Sequence, residues 1–143
     1  MSWDTLASLA TAVGVLIAAW QIRESRKLAQ TTFEDSFDQQ YRSLAMLIPV
    51  NALIGKPVPD ESKQAVREQI YNYLDLCNEQ VYLRKKKRIS SARWVDWCAG
   101  IKENLEKPAF REVWKEIKDE SPQSFSFLTQ LEEHSFNSDP AEW

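Results

Sequence analysis

Between Thr5 and Ile22 the chain runs for eighteen residues without a charge, TLASLATAVGVLIAAWQI, although 27% of the whole protein is charged. A helix rises about 1.5 Å per residue, so Trp3 and Trp20 are expected to stand roughly 26 Å apart, close to the thickness of a bilayer's hydrocarbon layer. Indole rings favour the headgroup level, and two tryptophans bracketing an apolar span read as interface anchors. Asp4 is the one charge before the span, whereas Arg23, Arg26 and Lys27 follow it against a single acid, Glu24. The positive-inside bias then places the N-terminus outside and everything after residue 22 in the cytoplasm. The expected location is the inner membrane, crossed once. A cleaved secretory signal competes poorly, because its basic cluster would precede the apolar stretch. A buried core helix or an interfacial segment competes better, because the span is short and rich in Ala, Thr and Ser.

Within the span Ala10, Gly14 and Ala18 recur every fourth residue. Such a small-residue stripe lets two helix backbones approach closely where lipid supplies no hydrophobic drive for association. Self-association as a homo-oligomer through Ala10, Gly14 and Ala18 is the expectation.

The 143 residues leave room for this anchor and one modest domain. Three glycines and six prolines suit long helices joined by few turns, and six Trp, four Tyr and six Phe argue for a packed domain. The predicted fold is all-α: a single transmembrane helix continuing as a stalk into a cytosolic bundle of four or five helices. The expected divisions are an anchor over 1–22, a stalk and first bundle helix over 23–48, a helical domain over 49–136 and a tail over 137–143.

Nothing in RESRKLAQTT breaks a helix. The first helix is therefore expected to reach Ile48, where Phe33, Phe37, Tyr41, Leu44 and Ile48 make one apolar face and Pro49 stops it. VNALIGKPVPD reads as a connector. Asp60 or Ser62 can cap a second helix whose stripe is Val66, Ile70, Tyr73, Leu74, Cys77 and Val81, widened by Leu76 and Leu83; this helix is expected to be the most central. Ser90 or Ser91 can cap a third, with Trp94, Trp97, Cys98, Ile101 and Leu105 inward. Pro108 opens a fourth with Phe110, Val113, Trp114 and Ile117. Ser121 and Pro122 open a last helix with Phe125, Leu128 and Leu131 inward, and the tail HSFNSDPAEW is expected to fray.

Catalytic signals are sparse. The lone His134 sits beside Glu132 and Glu133 near the C-terminus, and no Ser-His-Asp or Cys-His arrangement is available without it. No glycine-rich phosphate loop is present. Asp75 and Glu79 share a helix face, but a metal site in a bundle needs further ligands on facing helices. Cys77 and Cys98 lack metal or redox spacing and read as buried thiols. No enzyme activity, metal or cofactor is implied.

The strongest polar signal is RKKKRISSAR, in which Arg84, Lys85, Lys86, Lys87, Arg88 and Arg93 place six positive charges and no acid within ten residues. Such a cluster binds phosphates through salt-sensitive electrostatics, and Ser90, Ser91 and a helix N-terminus can add donors to a held anion. The competing reading is a solvated helix end whose cations complement the dipole. The ligand classes are an anionic lipid or a cyclic nucleotide; sequence-specific nucleic acid is not expected. An antiparallel second helix returns this loop toward the bilayer, which keeps lipid contact open.

The sequence AAWQIRESRKLAQTTFEDSF, followed by YLDLCNEQVYLRKKKRIS and a Trp-containing helix, resembles a loose group of small uncharacterised bacterial membrane proteins. That resemblance implies a helical cytosolic domain on a membrane stalk and no catalytic residues. The outline is also similar to membrane-anchored effectors of bacterial antiphage signalling, in which a cytosolic domain senses a cyclic oligonucleotide. The expected function is a non-enzymatic, membrane-anchored interaction or sensor module of bacterial or prophage origin. The alternatives are an antiviral effector gated by an anionic nucleotide at residues 84–93 and a scaffold that binds anionic lipid.

Overall fold

A computed structural model describes residues 3–143. Met1 and Ser2, at the head of the anchor delimited above, lie outside the described residues. Among the described residues there are six α-helices and no strand: α1 Trp3–Ala45, α2 Val50–Leu53, α3 Lys63–Lys85, α4 Ser91–Leu105, α5 Pro108–Glu120 and α6 Ser126–Glu133. Single 3-10 turns at Asp60–Ser62 and Pro140–Glu142 complete the order. The chain divides into two compact units, one reaching to Asp35 and the other Ser36–Trp143.

In the first unit α1 is long and apolar enough to cross a membrane, with an 18-residue window of mean hydropathy 1.7 of which 0% is buried. Leu9, Val15, Leu16 and Trp20 are all exposed. Within this stretch the Thr11 hydroxyl donates to the Ala7 carbonyl at 2.9 Å, so that hydroxyl is satisfied by its own helix. Beyond the span, Lys27 pairs with Glu24 at 2.9 Å along the same helix.

In the second unit α1 ends at Ala45, three residues before the expected limit. A proline at position 49 removes the bond to the Ala45 carbonyl and its ring clashes there, so the chain tightens into Leu47 N–H···O Leu44 and Ile48 N–H···O Ala45 bonds. The connector then forms one turn of helix, α2. Gly55, at φ 74°, closes it with Lys56 N–H bonded to the Asn51 carbonyl, the left-handed ending that glycine suits.

α3 is the central helix, packed by α5, α6 and the C-terminal 3-10 turn. Val66, Ile70, Tyr73, Leu74, Leu76, Cys77, Val81 and Leu83 are buried, the whole of the predicted stripe. Pro108 lies in the first turn of α5, and Phe110, Val113, Trp114 and Ile117 are buried. Aromatic rings lock the layers: Tyr73 meets Phe110 edge-on at 5.4 Å, and Phe125 meets Tyr71 at 5.3 Å.

Two further local expectations change. The last helix begins at Ser126, after a turn through Pro122, because its cap comes from far away: the Asn78 Oδ1 on α3 accepts from Phe127 N–H and Leu128 N–H, both at 3.1 Å. The tail is also held rather than frayed, since Pro140 and Ala141 are buried against the bundle.

Candidate functional site

The basic run is the C-terminus of α3, and its backbone is set by a Schellman ending. Lys87 N–H bonds the Arg84 carbonyl and Arg88 N–H bonds the Leu83 carbonyl, which requires Lys87 to adopt φ 57°. Lys86, Lys87 and Arg88 are exposed on this turn, and Ile89 drops into the core at 1% exposure.

Arg84 is directed inward. Its Nε donates to Asp139 Oδ1 at 2.7 Å, its Nη1 to the Ile89 carbonyl at 2.7 Å and its Nη2 to Ser91 Oγ at 2.9 Å, with a second bond from Nη2 to Asp139 Oδ2. The hydrogen bonds from Arg84 hold the Asp139 carboxyl below the usual carboxylate range. Asp139 Oδ1 also accepts from Ala141 N–H at 3.0 Å, so one carboxylate caps the last turn and clamps it to α3.

The remaining predicted residues separate. Ser90 caps α4, accepting from Arg93 N–H at 3.3 Å. Arg93 pairs with Asp38 at 2.9 Å. Lys85 lies over the Phe127 and Trp143 rings at 5.5 and 5.8 Å, and Lys86 over Tyr82 at 5.6 Å. Of the eight residues, the fold brings Arg84 and Ser91 onto a shared partner network, turns Ser90 and Arg93 toward α4 and the end of α1, and presents Lys86, Lys87 and Arg88 outward. In the anchor, Ala10, Gly14 and Ala18 are exposed, and a Cβ added at Gly14 would meet nothing within 4 Å.

Sequence reasoning missed Asp139 and Asp38. Each is an acid remote in sequence from its cation, and the only local signal was the Asp-Pro step at Asp139–Pro140, which favours a turn. Asp38 also accepts from Trp97 Nε1 at 2.9 Å, so it joins the end of α1 to α4.

Lys86, Lys87 and Arg88 line none of three further concavities. One of about 280 Å³ is bordered by Asp38, Tyr41 and Trp97. Two more, of about 390 and 420 Å³, share Arg67, Val113 and Glu116 along the seam of α3 and α5. A two-pronged ion pair from Arg67 to Glu116 lines both, with Nε to Oε2 at 2.8 Å, and lowers the pKa of the Glu116 carboxyl.

Among the described residues no group of three or more His, Cys, Asp or Glu side chains is placed to hold a metal ion. Asp75 and Glu79 are exposed. His134 bonds the Gln130 carbonyl through Nδ1 at 2.8 Å and stacks on Trp143 at 5.6 Å. Both cysteines are unpaired and buried; burial pushes the Cys77 thiol up to about 12 and raises Cys98 as well, which keeps both protonated. No protein family, curated protein or solved structure matches the chain.

Proposed function

We propose that the chain is a membrane-anchored, non-enzymatic interaction or sensor module. It sits once across the inner membrane of a bacterial cell with its N-terminus outside, and Ser36–Trp143 acts in the cytoplasm as the recognition domain. The observation that carries this reading is the bare span: none of the apolar window of α1 is buried. A helix apolar on every side needs an apolar solvent on every side. Each large aliphatic side chain left in water forgoes about 1.5–3 kcal/mol, and Leu6, Leu9, Val13, Val15, Leu16, Ile17 and Ile22 are all open.

The cations Arg23, Arg26 and Lys27 support the orientation, and the open stripe of Ala10, Gly14 and Ala18 supports self-association. Energy transfer between labelled copies in vesicles tests both anchor and stripe. Association diluted by lipid and weakened by Gly14→Leu is expected; monomers for both proteins at every lipid ratio contradict the self-association.

A second reading rests on the outward turn of Lys86, Lys87 and Arg88. Arg84, Ser90, Ser91 and Arg93 are engaged inside the chain, which favours diffuse contact with anionic lipid headgroups over a nucleotide pocket made from all eight residues. Titration of short-chain phosphatidylserine and of a cyclic dinucleotide against the full chain separates them. Steeply salt-dependent lipid binding lost in Lys86→Glu is expected; salt-insensitive nucleotide binding contradicts it.

A further inference from the structure

The concavity of about 280 Å³ in Ser36–Trp143 shares only Arg93 with the basic run, and neither that run nor the anchor explains it. Tyr41, Tyr73, Trp97, Gln80, Gly100 and Asn104 contribute to its walls. The wall is fixed from behind: Asn104 Nδ2 donates to the Tyr73 hydroxyl at 2.9 Å, and Lys107 Nζ donates to Asn104 Oδ1 at 2.6 Å. Tyr41 and Tyr73 meet edge-on at 6.0 Å.

Two features of this cleft have no structural purpose within the chain. Gln80 is 4% exposed and lines the cleft; among the described residues its side-chain amide makes no hydrogen bond, and it is not among the fully enclosed polar atoms, so it is open to the cleft. An amide carries two donors and an acceptor, which a ligand entering the cleft can take over from water. Gly100 lies inside α4, where alanine favours the helix. Its φ is not positive, and an added Cβ would meet nothing within 4 Å, so neither backbone nor packing calls for glycine there. What the missing side chain preserves is open space on the cleft wall.

We propose that this cleft binds a planar, uncharged nitrogen heterocycle of nucleobase size, stacked on the aromatic wall with its amide-like edge against Gln80. The volume, about 280 Å³, falls just short of the roughly 300 Å³ at which small-molecule sites begin, and suits a single ring system rather than a larger molecule. Flat π faces stack on tyrosine and tryptophan, and a glutamine amide pairs with a neighbouring donor and acceptor on a base edge. The charged groups bordering the cleft are Asp38, Asp96 and Arg93, with Arg93 already paired to Asp38 at 2.9 Å. Their sum is one negative charge, which disfavours a phosphate and selects a neutral ring. The site goes beyond the anchor reading and stands without it, while giving a sensor domain something to sense.

Calorimetry of the full chain in lipid nanodiscs against adenosine, guanosine, cytidine and uridine, each also as the 5′-monophosphate, tests the proposal. At least one nucleoside is expected to bind one-to-one with Kd below about 1 mM, its monophosphate no more tightly. Gln80→Leu and Gly100→Leu are each expected to weaken it at least tenfold without lowering Tm. Should Gly100→Leu fail to fold, Gly100→Ala is expected to raise Tm while weakening binding severalfold. The proposal is overturned if no nucleoside binds, or if binding is indifferent to both positions. Binding by monophosphates alone, lost in Lys86→Glu with Lys87→Glu, also overturns it, since that ligand would sit on the basic turn.

Discussion

The first thirty or so residues and the rest of the chain are both rich in apolar side chains, yet they treat them oppositely. In the span Leu16 is 70% exposed and Val15 63%, whereas in α3 Ile70, Leu74 and Val81 are all at 0%. The difference lies in pattern rather than amount. Apolar residues in α3 to α6 recur every three or four positions and leave a charged face for water, but those of the span surround the helix completely. A stripe asks for a neighbouring helix; a cylinder asks for a different solvent.

The contrast can be broken most forcefully by exchanging the two kinds of damage. Ile70→Ala is expected to cost about 2–5 kcal/mol of domain stability through the cavity it leaves, read as a lower Tm with membrane partition unchanged. Leu16→Arg is expected to do the reverse, weakening insertion by about 2.5–3.5 kcal/mol while the Tm of the domain stays put. Any crossover between the two readouts would mean that the span is part of the core.

Smaller changes sharpen the picture inside the domain. Asp139→Asn weakens the Arg84 clasp and is expected to cost about 1–3 kcal/mol at neutral pH. Because the folded carboxyl titrates lower than in the unfolded chain, this contribution is present above the unfolded value near about 4 and fades as pH falls through the folded one. Denaturant curves for both proteins should therefore converge in acid. Asn78→Ala removes the remote cap of α6 and is expected to cost about 0.5–2 kcal/mol, with hydrogen exchange quickening first at Phe127 and Leu128. Lys87→Gly relieves a left-handed lysine and is expected to raise stability by about 0.5–1 kcal/mol, seen as a small rise in Tm.

The helices of the domain were legible because each carries its stripe in its own residues: Val66 to Leu83, Trp94 to Leu105 and Phe110 to Ile117 need no knowledge of their neighbours. The boundaries that moved are those decided elsewhere. Pro49 acts backwards on the Ala45 carbonyl, and Asn78 reaches across 49 residues to start α6. The tail reads as polar and loose in HSFNSDPAEW, but Asp139 finds Arg84 across 55 residues and fixes it. The basic run shows the same limit. Its charge is plain in the sequence, but that Arg84 points into the protein while Lys86 and Lys87 point out depends on where the helix ends and which acids the fold returns to it.

Fractionation of lysed cells expressing either the full chain or residues 36–143 tests the contrast most directly. The full chain is expected to sediment with membranes and to resist an alkaline carbonate wash, while residues 36–143 stay in the supernatant with an unchanged Tm. A full chain found in the supernatant without detergent would show that the uncharged helix prefers a protein partner to lipid, and a 36–143 fragment that fails to fold would show that the two regions are one.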